Sequence, residues 1–214
     1  MGKKPDKINR MSIKAVILDF GGVLYFPPDL TWARRWQRLM GLKGDPFISA
    51  ILSSPEQSEF VNDIMTGRIS ESEAWEMAAN RWKISPMLFQ RARKGALSPR
   101  RWNKEMANFI SNLRPRYKTA ILSNAGSDAR QTFGEAYKIG ELVDDVIISA
   151  EVKVAKPDER IYWITVDRLG VEPQEAVFID DQAPNVDAAR RIGMQAIQFV
   201  NTAQAIADLQ TCLD

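Results

Sequence analysis

An apolar run, Ile13-Lys14-Ala15-Val16-Ile17-Leu18, ends in Asp19-Phe20-Gly21-Gly22. A buried strand that stops at an aspartate delivers a carboxylate to the turn. The two glycines after it carry no Cβ and let backbone N–H groups approach an anion. Three further apolar runs, 119–122, 146–148 and 176–179, lead to residues of related use. The first runs into Ser123 and Asn124, the second toward Glu151 and Lys156-Pro157-Asp158, the third into Asp180 and Asp181. Gathered on one rim, these side chains have complementary tasks. Carboxylates that crowd together repel unless a hard divalent cation joins them. One carboxylate can attack phosphorus to give an acyl phosphate. A hydroxyl and a lysine can hold phosphoryl oxygens where charge accumulates. Pro157 suits the first position of a helix, which would set Lys156 beside a helix N-terminus.

Each element alone has an ordinary structural explanation. Asp at a strand end caps or turns, Ser-Asn forms turns, Lys-Pro-Asp starts helices, and an Asp pair can cap the helix that follows. Their order on successive strand ends carries the chemical reading, because open α/β sheets bind ligands outside the carboxyl ends of their strands.

The elements that would position them alternate. Apolar runs at 13–18, 119–122, 146–148, 176–179 and 196–200 read as strands buried on both faces. Helical periodicity covers 101–113, 158–169, 183–192 and 202–213. This predicts an α/β fold with a doubly wound parallel sheet. The stretch 29–100 has no strand pattern. Trp32, Trp36, Leu39, Met40, Trp75, Met77, Ala78 and Trp82 stand there at helical spacing, and Ser70-Glu71-Ser72-Glu73 is a capping box. The expected organisation is therefore a core domain of 11–28 and 101–214, an inserted helical domain of 29–100, and a solvated, disordered tail of 1–10.

Composition narrows the chemistry. The 214 residues include no histidine, which removes Ser-His and Cys-His nucleophiles and His-ligated zinc. Any metal must be held mainly by oxygen, which favours magnesium, calcium or manganese. With 29 basic and 27 acidic residues the formal charge is +2, and the basic residues are scattered, so nucleic acid is not the expected partner. No apolar run is long enough to span a membrane, no secretory signal is expected from the basic but not apolar first residues, and a single cysteine, Cys212, fits a reducing cytoplasm. A monomer or homodimer is expected.

At this point the sequence resembles the haloacid dehalogenase superfamily. Asp19-Phe20-Gly21-Gly22-Val23-Leu24 is similar to its first motif, Leu122-Ser123-Asn124 to its second, Lys156-Pro157 to its third, and Phe178-Ile179-Asp180-Asp181, with Asn185 following, to its fourth. The resemblance implies Asp19 as nucleophile, with Ser123, Asn124, Lys156, Gly21 and Gly22 around the phosphoryl group. It also implies Mg2+ held by Asp19, the Gly21 carbonyl, Asp180 and Asp181. The helical insertion would be a cap closing over the site, with Arg34, Arg35 and the Thr66-Gly67-Arg68 turn as candidate specificity residues. One position departs from the pattern. Most phosphatases of the superfamily carry a second Asp, a proton donor, where this chain has Gly21. A good leaving group, such as an aryl or anomeric sugar phosphate, would suffer least from that loss. The expected function is a magnesium-dependent phosphatase acting on a small phosphorylated metabolite. A 2-haloacid dehalogenase using the same Asp, and a low-activity binding or regulatory member of the fold, are the alternatives.

Overall fold

A computed structural model describes residues 12–26, 35, 38, 39, 55–82, 85, 87 and 101–213. The tail and the rest of the insertion, including Trp32, Arg34, Trp36 and Met40, lie outside the described residues.

Five strands form one parallel sheet: β1 (Ala15–Leu18), β2 (Lys118–Ser123), β3 (Asp145–Ile148), β4 (Ala176–Asp180) and β5 (Gln195–Gln198). The order is β3-β2-β1-β4-β5, and every pairing is parallel. β1 sits at the centre, with Leu18 opposite Ile121 on one side and Ile179 on the other. The chain crosses over in opposite directions from β1, so the switch point of the topology falls at its carboxyl end, where Asp19 lies.

Alternate residues of each strand feed opposite faces. Val16, Leu18, Ile121, Ile148, Val177 and Ile179 pack with helices α3 (Lys104–Leu113) and α9 (Thr202–Leu213) through Met106, Ile110, Ala205 and Leu209. Ala15, Ile17, Leu122, Ile147 and Phe178 pack with α7 (Glu159–Leu169) and α8 (Ala183–Arg191) through Ile161, Tyr162, Val166 and Ala188. A sheet covered on both faces explains why the strands read as continuous apolar runs.

The insertion contributes two described helices, α1 (Pro55–Met65) and α2 (Glu71–Trp82). The capping box forms as expected, with Ser70 N–H donating to Glu73 Oε2 at 2.9 Å and Glu73 N–H to Ser70 Oγ at 3.2 Å. Ala74 is buried, whereas Met77 is exposed, so Met77 does not serve as the packed apolar residue its spacing predicts. The turn between these helices touches the core. Lys153 Nζ donates to the Gly67 carbonyl at 2.9 Å, and Glu71 N–H donates to Ser127 Oγ at 3.2 Å. Helices α4 (Ala129–Tyr137), α5 (Ile139–Leu142) and α6 (Ser149–Val152) complete the crossovers beside β2 and β3. Among the described residues, no helix is long and apolar enough to cross a membrane.

Candidate active site

The carboxyl ends of β1, β2 and β4 border a cleft of about 380 Å³. Its lining includes Asp19, Gly21, Gly22, Ser123, Asn124, Lys156, Asp181, Gln182 and Asn185, so distant segments meet as the strand-end argument requires. Asp180 lies directly behind, completely buried.

Lys156 is the centre of the arrangement. Its ammonium is 2.9 Å from Asp19 Oδ1 and 2.7 Å from Asp180 Oδ2, and both carboxylates are buried with it. The backbone of Lys156 is held by Asn124. Lys156 N–H donates to Asn124 Oδ1 at 2.8 Å, and Asn124 Nδ2 donates to the Lys156 carbonyl at 2.8 Å. Both ends of that amide are engaged, so Asn124 acts on the lysine's position while also lining the cleft.

Asp180 is fixed from the other side. Gln182 N–H donates to its Oδ1 at 2.8 Å, and Asn185 Nδ2 reaches both oxygens at 3.1 Å. Asn185, buried on the first turn of α8, is steadied by Tyr162, whose hydroxyl donates to the Asn185 carbonyl at 2.8 Å. Asp19 Oδ1 accepts Phe20 N–H at 2.7 Å, which turns the carboxylate at the strand end.

Gly22 N–H donates to the Tyr25 carbonyl at 2.7 Å, so it closes the turn and is not directed at a phosphate. The reason for glycine is spatial. Gly22 has φ 81°, and a Cβ there would stand 2.4 Å from Asp181 Oδ2. Gly21 lacks this constraint: a Cβ at that position would meet nothing within 4 Å. Glu151 turns away to Arg130, which donates to it at 2.6 and 2.8 Å. Pro157 follows a cis bond from Lys156 and precedes the helix, which begins at Glu159 with Asp158 as its cap. Of the candidate specificity residues, Arg35 is exposed, Thr66 is buried, and Arg68 is paired with Asp63 at 2.8 Å.

Sequence reasoning missed the cleft's apolar side. Phe20, Tyr25 and Phe133 line it, and Phe133 stacks on Phe20 with ring centroids 3.9 Å apart. Phe133 lies on α4, and its apolar character alone gave no reason to place it here.

Electrostatics follow from burial. Desolvation pushes the Asp19 carboxyl up to about 6, against the pull of the Lys156 ammonium and with the Asp180 carboxylate adding to the rise. Asp181 is raised too, by burial and then by Asp180. Burial disfavours charge on Lys156, but Asp19 and Asp180 outweigh it and hold the ammonium above the ordinary lysine value. Carboxylate oxygens of Asp19, Asp180 and Asp181 all lie within 4.8 Å of one another. Three carboxylates against one ammonium leave excess negative charge at the rim. An all-oxygen donor set of this kind fits a hard divalent cation.

Comparisons with known proteins agree with the fold. The chain is 30% identical over 216 residues to bifunctional epoxide hydrolase 2 of Sus scrofa, covering 94% of this chain and 39% of that protein. It is 34% identical over 83 residues to (S)-2-haloacid dehalogenase 4A of Burkholderia cepacia, covering 39% of this chain and 36% of that enzyme. The chain thus spans about two fifths of the length of these curated relatives. A HAD family enzyme of Bacteroides thetaiotaomicron, solved in complex with magnesium and inorganic phosphate, superposes with TM-score 0.72 at 20% identity, over 87% of this chain and 94% of that one. The family model for haloacid dehalogenase-like hydrolases matches residues 13–193, and the chain belongs to that hydrolase family.

Proposed function

We propose that this hydrolase is a magnesium-dependent phosphatase acting on a small phosphorylated metabolite, with Asp19 as covalent nucleophile. The observation that carries the reading is the cluster of Asp19, Asp180 and Asp181 around a single lysine. Asp19, the Gly21 carbonyl, Asp180 and Asp181 would hold the ion. Bound there, magnesium supplies positive charge that offsets the carboxylates and the phosphoryl oxygens.

Lys156 keeps Asp19 ionised and offers its remaining N–H to a phosphoryl oxygen. Asp180, bonded by Gln182 and Asn185, holds the lysine in place, while the more exposed Asp181 presents a carboxylate to the cleft. Ser123, buried at the end of β2, donates its hydroxyl to a second phosphoryl oxygen. Asp19 attacks phosphorus, the ester oxygen leaves with the bonding electrons, and water hydrolyses the aspartyl phosphate to regenerate Asp19. The Bacteroides thetaiotaomicron neighbour, solved with magnesium and phosphate, supports this reading.

The dehalogenase reading draws on the similarity to the Burkholderia cepacia enzyme and on the apolar side of the cleft. Displacement of halide from carbon requires no cation; Asp180 would still hold Lys156, but Asp181 beside Asp19 would have no role in it. Acid-quenching the enzyme during turnover of a labelled phosphate ester separates the two. Label on the peptide containing Asp19 is the expected result. Chloride release from 2-chloropropionate without any phosphorylated peptide would replace the phosphatase reading.

A further inference from the structure

The cleft has two unlike sides. One carries Asp19, Ser123, Lys156, Asp181 and Asn185, and the other is a wall of Phe20, Tyr25 and Phe133. The wall is braced from behind. Phe20 lies between Phe133 at 3.9 Å and Tyr25 at 5.7 Å, both stacked, and Trp102 stacks on Tyr137 at 4.6 Å. Tyr137 in turn stands 5.8 Å from both Phe20 and Tyr25. Rings packed on several sides do not swing away to expose polar groups beneath them. Phe20 and Tyr25 are buried, which leaves the half-buried Phe133 as the ring most open to a ligand, with Tyr25 beside it in the cleft lining.

We infer that the substrates are aryl phosphate monoesters, with the phosphoryl group on the polar side and the ring of the leaving group against Phe133 and Tyr25. This rests on the phosphatase reading. Two independent features converge on it. First, phenylalanine rings cannot satisfy the hydroxyls of a sugar, and among the described residues of this wall only Tyr25 carries a hydrogen-bonding side chain; a planar arene loses nothing there and gains stacking. Second, Gly21 provides no proton donor at its position, which favours a leaving oxygen that can depart as an anion. An aryloxide delocalises that charge and a simple alkoxide does not. In balanced form, Asp19 Oδ bonds to phosphorus, the P–O(aryl) bond breaks with its electron pair passing to the aryloxide, and the aryloxide takes a proton from water. A second water then attacks phosphorus, inorganic phosphate leaves, and the Asp19 carboxylate is restored.

The test compares phenyl phosphate, glucose 1-phosphate, butyl phosphate and acetyl phosphate with magnesium present, for wild type, Phe133→Leu and Phe133→Tyr. Acetyl phosphate has a good leaving group and no ring, so it reports the phosphatase reading by itself. Phenyl phosphate is expected to exceed glucose 1-phosphate and butyl phosphate in kcat/KM. In Phe133→Leu the ratio of phenyl phosphate to acetyl phosphate kcat/KM falls by about 2- to 12-fold, mainly through KM, as loss of one aromatic contact implies. Phe133→Tyr keeps the ring and restores the ratio. Turnover of acetyl phosphate with a ratio that is the same in all three proteins overturns the aryl assignment and leaves the phosphatase reading standing. Turnover of neither acetyl nor phenyl phosphate by the folded, magnesium-loaded protein overturns both.

Discussion

The Lys156 ammonium lies 2.9 Å from Asp19 Oδ1, with both side chains buried. This pairing joins the first strand to the loop after β3 and makes the ionisation of Asp19 depend on a residue far away in sequence. It also sets the stability of the site against its chemistry. The folded pKa of Asp19, about 6, stands above its ordinary value of 3.8. Between these values the folded chain binds more protons than the unfolded one, so stability falls as pH rises through the window, and the penalty is complete above about pH 6. Asp19→Asn removes that titration. The variant is expected to be more stable than wild type in metal-free buffer at about pH 7.5, by roughly 1–3 kcal/mol. The gap closes as pH falls toward 4. Urea unfolding across that range measures it, and a gap independent of pH would contradict the assignment.

Magnesium should act on the same imbalance. A cation that binds only the folded chain raises its melting temperature, and at a given concentration raises it more the tighter it binds. Adding magnesium at neutral pH is expected to raise the melting temperature of wild type more than that of Asp181→Asn. Equal shifts for the two proteins would remove Asp181 from the ion's ligands.

Gly22 and Asp181 are matched in shape. A methyl group at Gly22 would collide with the Asp181 carboxylate and would force a Cβ into a left-handed backbone with φ 81°. Gly22→Ala is expected to cost about 1–2 kcal/mol from the backbone alone. It should also weaken magnesium affinity, read by calorimetric titration, because Asp181 must move. A variant that binds magnesium like wild type would show that Asp181 does not need its present position.

Gly21 is the opposite case, since an added Cβ there meets nothing within 4 Å. Gly21→Asp should fold and provide the missing proton donor. Turnover of alkyl phosphates, whose leaving groups need protonation, is then expected to rise, by up to about 10²-fold on the scale of general acid catalysis. Aryl phosphates should gain far less. A uniform change across substrates would mean that protonation of the leaving group is not what wild type lacks.

The strand ends were legible in the sequence because β1, β2 and β4 are buried on both faces, and polar residues such as Asp19, Ser123 and Asp180 interrupt their apolar runs abruptly. Helix α9 was read residue for residue from its periodicity. What escaped depends on tertiary docking. The Asn124 amide is satisfied by a backbone 32 residues away, a partner no local pattern specifies. Phe133 reaches the cleft only through the packing of α4, and its ring is indistinguishable in sequence from any other apolar residue on a helix. Glu151 looked like a rim carboxylate from its position after β3, but Arg130, one crossover earlier, captures it. The helix after Lys156 begins later than Pro157 suggested, because Asp158 is the residue that caps it: its carboxylate accepts Arg160 N–H at 2.9 Å.

The central claim is that Asp19 attacks phosphorus with magnesium present. The direct measurement is hydrolysis of phenyl phosphate with and without magnesium, for wild type and Asp19→Asn. The expected result is release of phosphate that requires magnesium and falls by about 10⁴-fold or more in the variant, the scale of losing a catalytic nucleophile or its partner. Release that persists in Asp19→Asn, or that is indifferent to magnesium, would contradict the account.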